Sequence, residues 1–381
     1  MLNIDGLPLE KLRLRKSEKW RRFPQDILPL PVAEMDFEIA AQVRDVIGEM
    51  IKTSDTGYLG DIPELKENFS KFTKDRWGWD LSESELFIAP DVGVATVEFC
   101  RTFLNPGDGI VINTPVYHNY LNWINELKAK PIDAPLTKDG LEYSLNFDAI
   151  ESAYESGAKA HFLCSPHNPV GAVFSKEDLT KIAELAKKYN VIVISGEIHA
   201  PLTYSEKNFV PFLNASEVSR EVGICVSAAS KSWNLAGLKC AFIITQNPKM
   251  NELAKKMPAA VHYRASLFGA VGAAVAFTAT DWLDATIKTL DRNRRFLKDQ
   301  LDSKLPDIGY RIPNATYLGW LDMSAFNLGE NPSETLLSKG KVAFNAGITF
   351  GPQSGQFIRF NFGTSEAIIE EAVDRIVNAI K

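Results

Sequence analysis

Four short stretches of the sequence carry residues that can do chemistry together. In "SAASKSWNLAGLK" (227–239), Lys231 emerges directly from an apolar run, between Ser230 and Ser232, with Gly237 close behind. A lysine in that setting loses solvation, its amine moves toward the neutral form, and it can form a Schiff base with a carbonyl. In "CSPHNPVG" (164–171), the Asn-Pro pair and the glycine after it mark a fixed turn that can aim the Asn168 amide. "FIRFNF" sets Arg359 among apolar neighbours, where a guanidinium suits two-pronged capture of a carboxylate. "PDVGVATVEF" (90–99) runs from a strand into a helix start containing Gly93, a seat for a phosphate. Each stretch has a plainer reading when taken alone: a solvated lysine at a turn, a tight turn, an arginine paired across a sheet edge, a single glycine of no consequence.

What joins them is position. A fifth stretch, "VIVISGEIHAPL" (191–202), is a continuous β-branched run that breaks into Gly196, Glu197 and His199. Such a run reads as a strand buried on both faces, and its carboxyl end is where open α/β sheets hold ligands. Seven runs of this kind occur, at 85–90, 109–115, 129–135, 158–166, 191–197, 223–230 and 239–245, with helical patterns between them. One of those, "SKEDLTKIAELAKKYN", opens on Ser175 and Asp178 as a capped first turn and lines Leu179, Ile182 and Leu185 on one face. The alternation predicts an α/β fold: a mostly parallel seven-stranded sheet in a large domain, with helices on both faces. After about residue 280 the pattern changes to alternating pieces such as "TYLGWLDM" and the helix "SEAIIEEAVDRIVNAI", which predicts a smaller α+β domain. The expected division is an N-terminal arm joining the small domain (1–45), the large domain (46–280) and the small domain (281–381).

Composition excludes several function classes. The 381 residues carry a net charge of −6, which argues against nucleic acid or an anionic membrane as the main partner. The basic piece "KLRLRKSEKWRR" reads as a solvated N-terminal arm. Cys100, Cys164, Cys225 and Cys240 are scattered without C-x-x-C spacing, and read as buried thiols of a cytoplasmic protein rather than disulfides or metal ligands. The N-terminus has no apolar signal-like core, and "LFGAVGAAVAF" from Leu267 is shorter than a membrane span.

The order N-P-x-G, a strand ending in E-I-H, S-K-x-W-N-L-A-G-L and F-x-R-x-N resembles the pyridoxal-phosphate enzymes of aminotransferase class I/II, of fold type I. More narrowly it is similar to the MalY/PatB type of cystathionine β-lyase, through "LPLPVAEMDF" (28–37), "GYLG" (57–60), "NPGDGIVINTPVY" (105–117), "GEIHAPL" (196–202) and "ATYLGWLD" (315–322). The resemblance implies pyridoxal 5'-phosphate as cofactor, with Lys231 as the lysine that bonds it and moves the α-proton. It implies Asn168 on the ring hydroxyl with His199 nearby, Tyr117 stacked on the ring, and Arg359 on the substrate carboxylate. Gly93 and Val94 would offer backbone N–H groups to the phosphate, with Ser230 and Lys239 as further candidates. Tyr58 would reach the phosphate of a neighbouring subunit, implying a homodimer.

Two positions depart from the family pattern. The strand end reads S-D-E-I-H in the family and Ser195, Gly196, Glu197, Ile198, His199 here. The missing aspartate is the residue that pairs with the ring nitrogen, and Glu197, one residue on, should point to the opposite face. Ala228 stands where relatives tend to have a serine near the phosphate. The expected activity is α,β-elimination on an L-amino acid bearing sulfur at the β-carbon, giving a thiol, pyruvate and ammonia. The alternatives are an aminotransferase on the same scaffold, and a cofactor-binding protein of weak turnover because of Gly196, in which Gly196→Asp would raise activity.

Overall fold

A computed structural model describes residues 2–381. The seven apolar runs form one sheet: β1 (Glu85–Ala89), β2 (Gly109–Ile112), β3 (Lys130–Asp133), β4 (Ala160–Cys164), β5 (Ile192–Gly196), β6 (Gly223–Ser227) and β7 (Ala241–Thr245). Their spatial order is β1-β7-β6-β5-β4-β2-β3, and β7 alone runs antiparallel to its neighbours. The central strands β4 and β6 are buried throughout, which explains why they read as unbroken apolar runs rather than alternating ones.

Alternation still matters, because it decides which face each residue serves. Phe162 and Cys164 on β4, Ile192 and Ile194 on β5, and Ile224 and Val226 on β6 pack on one side of the sheet, with the helices Val92–Cys100 and Asn119–Glu126. Leu163, Val193 and Cys225 pack on the other side, with Lys176–Tyr189. That helix begins with the expected capping box, the Asp178 N–H donating to Ser175 Oγ and the Ser175 N–H to the Asp178 carboxylate, each at 3.0 Å. Register sets Cys164 opposite Gly196, and Gly196 opposite Val226. Three strand ends therefore arrive side by side.

The C-terminal part is a four-stranded antiparallel sheet, β8 (Gly309–Tyr310), β9 (Leu318–Asp322), β10 (Asn345–Ala346) and β11 (Phe357–Asn361), ordered β8-β9-β11-β10. The helix Thr280–Lys304 packs against Glu366–Ile380, burying Leu283, Leu290, Leu297 and Leu301. Arg359 lies mid-way along β11, between Trp320 of β9 and Asn345 of β10.

The N-terminal segment is not a solvated arm. Lys19 and Asp36 form a fully buried ion pair at 2.7 Å, and the Trp20 indole N–H donates to the same carboxylate at 2.9 Å. Arg15 donates to the Met35 and Phe37 carbonyls at 3.0 and 2.9 Å. A buried ammonium is tolerable only with a partner, and Asp36 supplies it from 17 residues downstream. Leu28–Pro29 then pairs in parallel with Val342–Ala343 in a separate two-stranded sheet, tying the segment to the C-terminal part. The helix Ala41–Lys52, which straddles the expected boundary at 45, packs instead on Leu267–Ala276. All four cysteines are buried and free. Among the described residues no helix is long and apolar enough to cross a membrane.

Candidate active site

A cavity of about 310 Å³ lies where β4, β5 and β6 end, closed over by Pro31, Val32 and Ala33 of the N-terminal segment and by Arg359 of the small sheet. That is the lower end of the size range for small-ligand sites. Lys231, Tyr117, Asn168, Gly196, His199 and Arg359 all line it. Residues between 117 and 359 in the sequence thus meet because the sheet gathers its carboxyl ends and the small domain docks against them.

The Lys231 amine donates to the Ala33 carbonyl at 2.9 Å. Burial first, and the Arg359 charge second, push it down to about 8 against the opposing pull of Glu34. His199 is buried, and burial with the Lys231 and Arg359 charges takes it down to about 3, so the imidazole is neutral. Its Nδ1 has no hydrogen-bond partner. Arg359 is also buried and stands 5.1 Å from the Phe350 ring. It donates to Asn168 Oδ1 at 3.1 Å, to the Pro31 carbonyl at 2.7 Å and to Asn345 Oδ1 at 2.7 Å, while its Nε is unpaired. The Tyr117 hydroxyl accepts from Asn119 at 2.6 Å, and burial pushes its pKa above the ordinary phenol value, so it keeps its proton.

Glu197 serves the opposite face, as period-two geometry requires. Its carboxylate accepts from Ser195 Oγ at 2.8 Å and from the Phe212 N–H at 2.7 Å, and burial raises it to about 7. It does not line the cavity. Gly196 leaves the position of the family's acid empty of a side chain. A Cβ built there would lie 2.7 Å from the Tyr120 hydroxyl, so an aspartate cannot simply be restored in the surrounding structure as it stands.

The residues expected around a phosphate lie beside the cavity, outside its lining. Helix Val92–Cys100 does start beside the cavity, with Val92 in its wall, but the Val94 N–H already donates to Asp91 Oδ1 at 2.9 Å as the helix N-cap. Val94 is therefore not a free donor. Gly93 is held close to the Trp123 indole, whose Nε1 would lie 2.9 Å from an added Cβ. Ser230 is half-buried and Lys239 exposed, and neither lines the cavity; Lys239 pairs with Asp91 at 3.3 Å. Tyr58 is 92% exposed and stands away from this chain's own cavity.

Tyr120, Trp123, Thr96 and Cys164 line the cavity as well and were not anticipated. The signal for the first two was present: Tyr117, Tyr120 and Trp123 recur at three-residue spacing, which puts them on one face of a helix. The donor set fits an anionic, planar aldehyde. It offers an amine of lowered proton affinity, an aromatic wall, and two buried N–H-bearing groups, His199 and Arg359, each with an unspent nitrogen.

The chain matches the family model "Aminotransferase class I and II" over residues 26–376. It is 33% identical to the cystathionine beta-lyase of Corynebacterium glutamicum, covering 98% of this chain and 99% of that one. It is 30% identical to the cystathionine beta-lyase PatB of Bacillus subtilis, covering 96% and 97%. Among solved structures, cystalysin of Treponema denticola, which contains a pyridoxal 5'-phosphate cofactor, superposes with a TM-score of 0.92 at 28% identity, covering 100% of this chain and 99% of that one. Matched over residues 26–376 and over nearly its full length, the chain belongs to the pyridoxal-phosphate-dependent aminotransferase class I and II family.

Proposed function

We propose that the protein is a carbon–sulfur β-lyase acting on L-amino acids with a thioether or thiol at the β-carbon, of which cystathionine is the type. The observation that carries the reading is the meeting of Lys231 and Arg359 in one cavity, the amine lowered to about 8 and the guanidinium with an unspent Nε. When bound, pyridoxal phosphate supplies the electron sink that lets the α-carbon give up its proton and the β-carbon expel sulfur. Lys231 would hold the cofactor and, once free, is placed to take the α-proton; an amine that titrates near neutrality suits a general base. Arg359 holds the α-carboxylate through a charge-assisted hydrogen bond. Asn168 and neutral His199 would hold the ring hydroxyl, and Tyr117 would cover the ring. The segment 31–33 keeps water from the reacting carbon. For cystathionine the balance is one water consumed, the Cα–H, Cβ–S and Cα–N bonds broken, the water oxygen becoming the keto oxygen, and homocysteine, pyruvate and ammonia released.

Tyr58 serves the site of a second copy, and the working unit is a homodimer; its exposure on a chain whose other site aromatics are covered supports this. The four free thiols support a cytoplasmic protein. Amino transfer shares the early steps and the scaffold, and the two separate on fate. Purified, cofactor-loaded protein given L-cystathionine should release pyruvate and thiol in equal amounts with no keto acid added. Pyruvate-free turnover that starts only on adding a keto acid would assign an aminotransferase instead.

A further inference from the structure

The wall of the cavity at the strand ends holds a phenol where the family pattern has an acid. Gly196 has the parity of Ile192 and Ile194, so a side chain there would enter the cavity between Cys164 and Val226. The space belongs to Tyr120, whose hydroxyl lies 2.7 Å from where that side chain would begin. Tyr120 is 5% exposed, and its ring is held by Trp123 at 5.2 Å and Phe162 at 5.5 Å between ring centres. Its hydroxyl rests against the Cys164 thiol. The absence of a side chain at 196 and the presence of a hydroxyl at 120 are thus one arrangement.

In pyridoxal phosphate the carbonyl carbon and the ring nitrogen sit at opposite ends of the ring. Lys231, which bonds the carbonyl carbon in the proposed lyase site on which this inference rests, lies against Ala33 on the N-terminal segment's side. A ring bonded there presents its nitrogen to the far wall. Among the described residues, the only carboxylate lining the cavity is Glu18, which comes from the N-terminal segment, not from that wall. The polar side chains that line it from the helices and strand ends on that face include Thr96, Asn119, Tyr120, Trp123 and Cys164, and of these it is the Tyr120 hydroxyl that occupies the place a side chain at 196 would take.

We propose that the Tyr120 hydroxyl is the hydrogen-bond partner of the cofactor's ring nitrogen, so that the nitrogen is held neutral by a donor instead of protonated by a carboxylate. Burial raises Tyr120 well above the ordinary phenol value and Cys164 to about 11, so both keep their protons and neither supplies the negative charge that would hold the ring nitrogen protonated. A neutral ring withdraws charge less strongly than a protonated one. Negative charge then stays nearer the substrate α-carbon, from which a β-sulfur can carry it away. Amino transfer needs that charge delivered to the former carbonyl carbon and a proton placed there, and it is disfavoured. Gly196 is then part of a lyase site, not a lesion in one.

The test is 15N NMR of protein loaded with cofactor labelled at the ring nitrogen, with the cofactor dissociation constant measured alongside. At pH 7 the wild type should show a neutral, hydrogen-bonded pyridine nitrogen. Tyr120→Phe, which keeps the ring packing, should move the resonance toward unbonded pyridine and weaken cofactor binding about 2- to 12-fold, the loss of one hydrogen bond. Gly196→Asp alone should weaken binding because the new side chain meets the phenol, whereas Gly196→Asp with Tyr120→Phe should recover binding and give a protonated nitrogen. A protonated nitrogen in the wild type, or a resonance moved by Thr96→Val or Cys164→Ala and not by Tyr120→Phe, overturns the inference while leaving the cofactor site standing. Label that never becomes attached at Lys231 overturns both.

Discussion

Arg359→Gln removes a cation that does two jobs in one place, and the two losses can be read separately. The guanidinium spends its Nη groups on Asn168, Pro31 and Asn345, and keeps Nε unpaired inside the protein. A buried donor on a charged group left without a partner is costly, and a hydrogen bond to it is worth about 1.5–3 kcal/mol. At about 1.4 kcal/mol per tenfold, that is about 10- to 140-fold in affinity for a ligand whose carboxylate takes up Nε. The substitution also frees the acceptors that seat segment 31–33, so a fall in affinity alone proves little. The assay is therefore a ratio: the dissociation constant of an L-amino-acid thioether against that of the same amine lacking the α-carboxylate, followed by the cofactor's visible spectrum. Disturbed seating affects both ligands and cancels, while loss of carboxylate capture affects only the first. The ratio should collapse by about 10- to 140-fold in Arg359→Gln, and Arg359→Lys should restore part of it by charge alone. In the same variant the Lys231 amine should titrate higher, because the Arg359 charge is one of the two causes that lower it. A ratio unchanged from wild type would refute the assignment of Arg359 to the carboxylate.

The lowered Lys231 amine also predicts how the protein takes up its cofactor. Only the neutral amine attacks an aldehyde, so the capture rate of cofactor-free protein should climb about tenfold per pH unit below about 8 and level off above it; stopped-flow absorbance would show this, and a rate still climbing at pH 10 would contradict it. His199, at about 3, should add no second break near pH 6 to that profile. The buried Lys19–Asp36 pair makes the N-terminal segment a structural part of the molecule. Asp36→Asn, which strands a buried ammonium, should cost about 3–5 kcal/mol in urea unfolding, and Lys19→Met with Asp36→Asn less than that; a loss under about 0.5 kcal/mol would mean the segment is dispensable for stability.

Much of this architecture is legible in the sequence because β4, β5 and β6 are buried on both faces and therefore spell unbroken apolar runs, each ending in the polar residues that make the site. Lys231, Asn168 and His199 follow those runs directly, so their convergence can be read from position. Arg359 is legible for another reason, a charge set in an apolar strand that needs an anion to justify it. What escapes depends on packing between distant segments. Nothing local to "KLRLRKSEKWRR" says that Lys19 is buried, since the cause is Asp36 on another turn of chain. Val94 reads as a free helix-start donor, and only the conformation of Asp91 shows it to be capped. Gly196 reads as a deletion of chemistry until the helix Asn119–Glu126 is laid beside β5 and brings Tyr120 into the gap.

In the proposed function, Lys231 is the amine on which the whole cofactor site depends. Borohydride reduction of the cofactor-loaded protein, followed by peptide mass mapping, fixes the cofactor to whichever amine it bonds. The label should fall on the peptide containing Lys231 and be abolished by Lys231→Ala, with Lys239, eight residues on, unlabelled. Label on any other lysine, or protein that remains colourless and unlabelled at saturating pyridoxal phosphate, would contradict it.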